Sequence, residues 1–257
     1  MVLITGGSGY LGGRIAAHLE RLGYQVRVGK SVESDSKGFP IDFTDDHSIN
    51  SACDGVSSII HLAAMNAQSC DHNPEKALLI NGLGTLKLLK ASKKNRVSKF
   101  LYFSTAHIYG SPLKGEINEE LLPRPLHPYS ITHRVAEDYV MEEACQQGLS
   151  ATVFRLTNAI GSPITPQANC WMLVANDFCR QVVINTSIKV HSNKFLQRDF
   201  IPISSICSVV SSSLNSTVLD GEIVNLSSGI AITLQSLAIL IADRSEVVLG
   251  FRPHIDF

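Results

Sequence analysis

The stretch Val2-Leu3-Ile4-Thr5-Gly6-Gly7-Ser8-Gly9-Tyr10-Leu11-Gly12, followed by Ile15, Ala16, Leu19 and Leu22 at helical spacing, decides the fold. A short apolar run enters a glycine-rich break and then a 3.6-residue periodicity, the pattern of strand, tight turn and amphipathic helix. Gly23 ends that helix and Tyr24 to Val28 alternates as a second strand, so the unit is βαβ. A glycine-rich stretch alone is weak evidence, because glycine is common in turns of every kind. Lying between a buried strand and a helix start, Gly6, Gly9 and Gly12 can supply the tight turn, the close approach to a pyrophosphate and the close helix packing of a dinucleotide site. A purely structural glycine turn is the alternative.

The alternation continues outward. Phe39 to Asp42 reads as a strand, Asp45 to Cys53 as a helix, and Ser57 to Leu62 as a strand buried on both faces around Ile59-Ile60. A longer helix is expected from Pro74, with a broad apolar face from Ala77 to Leu89 and Lys93, Lys94 and Arg96 crowding its end. Phe100 to Ser104 is the next strand. A Pro-rich loop from Ser111 to Pro128 precedes a helix from Tyr129 to Gln147, stopped by Gly148, and a strand from Ala151 to Leu156. This is an α/β protein with a doubly wound parallel sheet, and residues 1–158 form its dinucleotide-binding domain. Beyond, helices near Trp171 to Val183 and Leu234 to Asp243 and a strand near Ile188 to His191 stand among irregular loops. Residues 159–257 are expected to be mainly a small substrate-binding subdomain, with some segments returning to the main sheet.

Composition narrows the partners. With 22 Lys and Arg against 23 Asp and Glu, the formal net charge is −1, which argues against a strongly basic nucleic-acid binder. At 44% hydrophobic and 18% charged, the 257 residues can bury a large core. Six cysteines avoid the close pairs of metal and dithiol motifs, so no metal is expected and a reducing compartment is the simplest reading. Met1 runs directly into the first strand without a charged leader, and no apolar stretch is long enough to span a bilayer. The expectation is a cytoplasmic protein with neither a membrane nor a nucleic-acid partner.

At the end of the second strand, where an NAD site normally carries an acidic residue for the ribose, the chain has Gly29-Lys30-Ser31. A cation there attracts a 2′-phosphate, so Arg27, Lys30 or Ser31 tilts the cofactor toward NADP over NAD. Lys30 can equally be a solvated surface residue, and Glu33 could still reach the ribose.

Together the motifs resemble the extended short-chain dehydrogenase/reductase family, in particular its NAD(P)-dependent epimerase/dehydratase group acting on nucleotide-activated sugars. Thr5-Gly6-x-x-Gly9-x-x-Gly12 is similar to that group's cofactor turn, Asp42 to its residue near the adenine, and His61-Leu62-Ala63-Ala64 to the end of its fourth strand. Asn81 with Gly84-Thr85 resembles its central-helix motif, Ser104 to Gly110 its active-site strand, and Tyr129 the start of its Tyr-x-x-x-Lys helix. The resemblance implies a Rossmann fold and a cofactor set of Gly6, Gly9, Tyr10, Leu11, Gly12, Lys30, Asp42, Phe43, Leu62, Ala63, Ala64, Asn81, Ser104, Tyr129, His133 and Leu156. It implies Thr105, Tyr129 and His133 as catalytic residues and Thr105, His107, Asn158 and Arg198 as contacts to the sugar nucleotide. Arg155 with Asn158, and Gln197 to Pro202, resemble segments that shape the sugar-nucleotide pocket; Arg198 could instead pair internally with Asp199. Pairing of two copies through the Pro74 and Tyr129 helices, a homodimer, is also implied.

His133 departs from the pattern, standing where the family has Lys, four residues after Tyr129 and so on the same helix face. The family's ammonium holds the ribose and lowers the phenol pKa, whereas an unperturbed imidazole is mostly neutral near pH 7. His133 either substitutes while partly protonated, or leaves the site weakened, or yields to a cation from elsewhere in the fold. Ala106-His107 stands where sugar 4,6-dehydratases carry Asp-Glu, which disfavours dehydration. The resemblance then implies 4-epimerisation or ketosugar reduction by hydride exchange, with Tyr129 as acid/base. The alternative is a weakened NAD(P)-binding sensor or scaffold of the same fold.

Overall fold

The structure, a computed structural model, describes residues 1–146 and 149–257. Gln147 and Gly148, the expected end and stop of the Tyr129 helix, lie outside the described residues. Two compact units form, Met1–Leu156 with Ile206–Leu226, and Thr157–Ser205 with Ser227–Phe257.

In the first unit the chain runs β1 (Val2–Thr5), α1 (Tyr10–Arg21), β2 (Val26–Ser31), β3 (Phe39–Ile41), α2 (Asp46–Cys53) and β4 (Ser58–His61). It continues with α3 (Ala67–His72), α4 (Pro74–Ala77), α5 (Gly84–Lys94), β5 (Lys99–Thr105), α6 (Pro128–Cys145) and β6 (Ser150–Leu156). The second unit holds β7 (Asn158–Ile160), α7 (Val174–Asn185), β8 (Ser187–Lys189) and β9 (Gln197–Pro202). α8 (Ile203–Leu214) and β10 (Ile223–Leu226) return the chain to the first unit, and β11 (Ala231–Thr233), α9 (Leu234–Leu249) and β12 (His254–Asp256) complete the second.

The first unit is a seven-stranded sheet in the order β10-β6-β5-β4-β1-β2-β3, with every pairing parallel. Its strands read as Val/Ile/Phe runs because both faces are covered. Leu3, Ile59, Phe100 and Ala151 sit side by side in register and are fully buried with residues of α2, α5 and α6. α1 and α8 contribute nothing to that cluster and meet each other through His18 Nε2 and Ser211 Oγ, 3.4 Å apart.

The strand order reverses between β1 and β4, so the C-terminal ends of these neighbours open a crevice, the place where doubly wound sheets bind ligands. α8 and β10 carried no clear signal, since serines break the apolar period of α8. The expected Pro74 helix is interrupted: α4 and α5 are joined by a π-helical segment, Leu78–Leu83. Such segments shift the side-chain register and concentrate at functional sites. In the second unit, β7 pairs parallel and β11 antiparallel with β9, while β8 pairs with β12. Among the described residues no helix is long and apolar enough to cross a membrane.

Candidate active site

The C-terminal edge of the main sheet gathers most of the expected residues. At the end of β1, Gly6 has φ +65°, a left-handed value that suits glycine, and Gly9 is the N-cap of α1 without a side-chain cap hydrogen bond. The first turn of α1 carries no acidic residue, so no carboxylate of that turn offsets the positive end of the helix. A Cβ on Gly12 would lie 2.6 Å from Gly7 Cα and closer still to the Gly6 carbonyl oxygen, so only glycine lets helix and turn approach this closely. A helix N-terminus directly after a glycine turn fits a dinucleotide pyrophosphate.

Lys30 is half-buried at the end of β2, where its ammonium donates to the Ser34 carbonyl at 2.6 Å. Arg27 points away from this edge's task, donating to the Ala52 and Asp54 carbonyls at 2.8 Å each and stacking on Phe39. Glu33 pairs with Lys76 at 3.8 Å. Asp42, just past β3, accepts from the Thr44 amide and hydroxyl, which hold its carboxyl below the usual range. Phe43 lies against Gly84 and the His61 ring.

A continuous hydrogen-bond path crosses the site. Thr5 Oγ1 accepts from the Leu62 and Ala63 amides at 3.2 Å and donates to His61 Nδ1 at 2.6 Å. Thr85 Oγ1 donates its only proton to the Asn81 carbonyl at 2.6 Å, so it accepts from His61 Nε2–H at 2.9 Å. These partners fix one neutral tautomer, and burial lowers the His61 pKa to about 3. Asn81, on the π-helical segment, accepts from Met65 N at 2.8 Å and donates to Thr132 Oγ1 at 3.0 Å. Thr132 then donates to the Tyr129 carbonyl at 3.0 Å. Glycine-turn strand, central helix and Tyr129 helix are thus one polar assembly.

Tyr129 lies in the first turn of α6, which His127 caps by accepting from the Tyr129 amide at 3.1 Å. Its ring lies 4.2 Å, centroid to centroid, from that of His133, which is 2% exposed. His133 Nδ1–H donates to the Tyr129 carbonyl at 2.8 Å, which leaves Nε2 as an acceptor. Desolvation lowers the His133 pKa to about 4, which disfavours partial protonation, one of the three roles the sequence leaves open. Desolvation and the Cys70 thiol push the Tyr129 phenol up to about 12.

Thr105 ends β5 and caps a short 3-10 turn, Ala106–Tyr109, by accepting from the His107 amide at 3.2 Å. His107 is the one exposed residue of that turn. Ser104 is buried, its hydroxyl without a hydrogen-bond partner among the described residues, and Leu156 sits beside Thr105 at the end of β6. Ala64 continues the loop after β4.

Arg155 turns into the core. It is 1% exposed and faces inward, with Nη2 2.8 Å and Nε 3.1 Å from the two Glu137 oxygens and Nη1 2.8 Å from the Tyr109 hydroxyl. It pins α6 to β6. Sequence reading missed Glu137, although an acid eight residues after Tyr129, on the same face of an inward-facing helix, was a readable sign. In the second unit, Asn158 donates to the Asp199 carbonyl at 2.8 Å. Asp199 is occupied by Thr157, Ser228 and Ile230, and among the described residues Arg198 forms no ion pair, so the internal Arg198–Asp199 pair does not occur.

The family model for the NAD dependent epimerase/dehydratase family matches residues 2–227. The GDP-6-deoxy-D-talose 4-dehydrogenase of Aggregatibacter actinomycetemcomitans is 30% identical over 249 residues, which cover 95% of this chain and 80% of that protein. The Thermus thermophilus UDP-glucose 4-epimerase in complex with NAD superposes with a TM-score of 0.84 at 24% identity, covering 99% of this chain and 85% of that one. The RMD protein of Pseudomonas aeruginosa, complexed with NADPH, gives a TM-score of 0.81 at 25% identity, covering 99% and 84%. The chain belongs to the NAD dependent epimerase/dehydratase family.

Proposed function

We propose that the chain is an NAD(P)-dependent oxidoreductase or epimerase of a nucleotide-activated sugar, with Tyr129 as acid/base and Thr105 orienting the reacting sugar oxygen. The observation that carries this reading is the path from Thr5 through His61, Thr85, Asn81 and Thr132 to the Tyr129 carbonyl, which ties the cofactor turn to the phenol's helix. When bound, the nicotinamide cofactor gives or takes the hydride. The chain's part is to hold and orient. The glycine turn and the Tyr10 to Gly12 amides take the pyrophosphate, and His133 Nε2 accepts from a ribose hydroxyl. Lys30, freed from Ser34, meets a 2′-phosphate, which favours NADP over NAD. His107, Asn158 and the unpaired Arg198 serve the sugar nucleotide, the guanidinium on its diphosphate. The relative named for a GDP-deoxysugar dehydrogenase supports this substrate class.

Leu79, Leu83, Ile131 and Tyr139 are exposed on the helices around Tyr129. A second copy of the same face would cover them, giving a homodimer, and the six free cysteines favour the cytoplasm. A thermal-shift panel with NADPH, NADH and nucleotide sugars, followed at the nicotinamide absorbance band, tests the function. Cofactor stabilisation together with sugar-nucleotide stabilisation is expected, and Tyr129→Phe should abolish turnover while cofactor binding persists. Cofactor stabilisation alone would leave a nucleotide sensor or scaffold.

A further inference from the structure

Thr105 and Tyr129 stand on separate elements, Thr105 at the end of β5 and Tyr129 in the first turn of α6. A displacement of about 1 Å between groups that share one reacting oxygen can cost a hundredfold in rate. Joining the two elements are the 3-10 turn Ala106–Tyr109 and the Pro-rich loop behind it. At the near end of the turn, Thr105 Oγ1 accepts from the His107 amide at 3.2 Å. At its far end stands Tyr109.

A chain of polar side chains runs from α6 through Tyr109 to that loop. Roughly two turns along α6 from Tyr129, the Glu137 carboxylate accepts from Arg155 Nε at 3.1 Å and Nη2 at 2.8 Å. Arg155, on β6, donates through Nη1 to the Tyr109 hydroxyl at 2.8 Å, and its guanidinium carbon lies 4.9 Å from the centre of that ring. The Tyr109 hydroxyl donates in turn to Asn225 Oδ1 of β10 at 2.8 Å. Its single proton and a lone pair are both engaged, so the direction of the phenol is fixed. Asn225 stands opposite Arg155 in the register of β10 on β6; its amide donates to Glu119 Oε1 at 2.6 Å and its Nδ2 to the Ile117 carbonyl at 3.5 Å. The Arg124 amide donates to the Ile108 carbonyl at 2.8 Å, which ties the loop to the turn a second time. Glu137, Arg155 and Tyr109 are buried, and a buried ion pair adds little net stability over apolar side chains of the same size. What charge-assisted hydrogen bonds add is direction.

We propose that Tyr109 is a positioning residue for Thr105. Its hydroxyl, clamped between Arg155 and Asn225, fixes the turn that begins after Thr105 to the helix that carries Tyr129, and so sets the Thr105 hydroxyl against the phenol. The inference rests on the functional reading above, in which Thr105 orients the reacting sugar oxygen. Tyr109 acts through Thr105, and the loop bonds at Asn225 hold the far side of the clamp.

The test is a double-mutant cycle on the full chain between Tyr109→Phe, which keeps the ring and removes the hydroxyl, and Thr105→Val. The probes are GDP-6-deoxy-D-talose, the sugar nucleotide in the name of one relative, with NAD⁺ and NADP⁺ in turn. Tyr109→Phe should lower kcat about tenfold to a hundredfold and leave the KM for the dinucleotide within about twofold. In the Thr105→Val background the same change should lower kcat by less than about twofold, because no Thr105 hydroxyl remains to be misplaced. Asn225→Ala, which removes the acceptor and spares the Tyr109–Arg155 bond, gives a second cycle with a smaller loss in the same direction. Thr152→Val deletes another buried hydroxyl bond of β6, to the Leu219 carbonyl at 2.7 Å, and should lower the melting temperature with kcat unchanged. Amide hydrogen exchange across residues 107–110 should quicken about tenfold in Tyr109→Phe and stay at the wild-type rate in Thr152→Val. Losses that multiply in the double variant, a wild-type kcat in Tyr109→Phe, or unchanged exchange across the turn overturn the proposal. A wild type that turns over neither this probe nor any other nucleotide sugar sinks the functional reading instead, and the exchange measurement then decides by itself whether Tyr109 holds the turn.

Discussion

Glu137→Gln is a near-isosteric change that removes one charge from a fully buried ion pair. Glu137 is 0% and Arg155 1% exposed, and the guanidinium also donates to Tyr109, which in turn donates to Asn225 at 2.8 Å. An intact buried pair contributes little net stability, because desolvation cancels most of the attraction, but a guanidinium stripped of its carboxylate cannot recover water. Breaking such a pair costs about 3–5 kcal/mol. At roughly 2–4 °C per kcal/mol for a chain of this size, the melting temperature should fall by about 6–20 °C. Equilibrium urea unfolding, with an unchanged slope, measures the loss. The double variant Glu137→Leu with Arg155→Met should recover most of it, since apolar side chains of similar size replace a pair with little net loss. A loss below about 1 kcal/mol for Glu137→Gln would refute the reasoning, because Arg155 would then have found another partner.

Other consequences follow from the same geometry. Gly12→Ala should abolish cofactor stabilisation in a thermal-shift assay, since the new Cβ collides with the turn backbone at Gly6 and Gly7. Thr85→Val removes the acceptor of His61 Nε2–H and should cost about 1–3 kcal/mol in denaturant unfolding, the penalty of an unsatisfied buried donor. His61 and His133 are held neutral down to about pH 3 and 4, whereas the unfolded chain protonates both from its ordinary value near 6.5. Their neutrality carries no penalty above that value. Stability falls as pH drops from 6.5 toward 4, by about 1.4 kcal/mol per pH unit for each histidine and roughly 4 kcal/mol in all by about pH 5. His133→Gln should halve that slope in urea titrations across the window.

Much of the first unit was legible because its signals are local. Strand, glycine turn and amphipathic helix each occupy a few consecutive residues, and apolar period alone separates β1, α1, β4 and β5. The contiguous motifs around Thr5, Asn81, Thr105 and Tyr129 likewise show which residues belong at the sheet's C-terminal edge. Where elements are short or polar, as in β7, β11 and β12, or where serines interrupt an apolar face, as in α8, periodicity had too few residues to speak. The π-helical insertion was hidden because its apolar run, Leu78-Leu79-Ile80, suits either helix.

The sequence by itself determined the parallel α/β sheet, the glycine turn at its first strand and the position of His133 four residues after Tyr129 on one helix. Only the tertiary structure decided that His133 Nδ1–H is spent on the Tyr129 carbonyl, that Arg155 turns inward to Glu137, and that Arg27 is spent on backbone carbonyls. Local pattern follows from backbone geometry and the period of apolar side chains. Protonation and partner choice depend on the solvent removed and the charges brought near by segments distant in the chain, and those are set only when the fold closes.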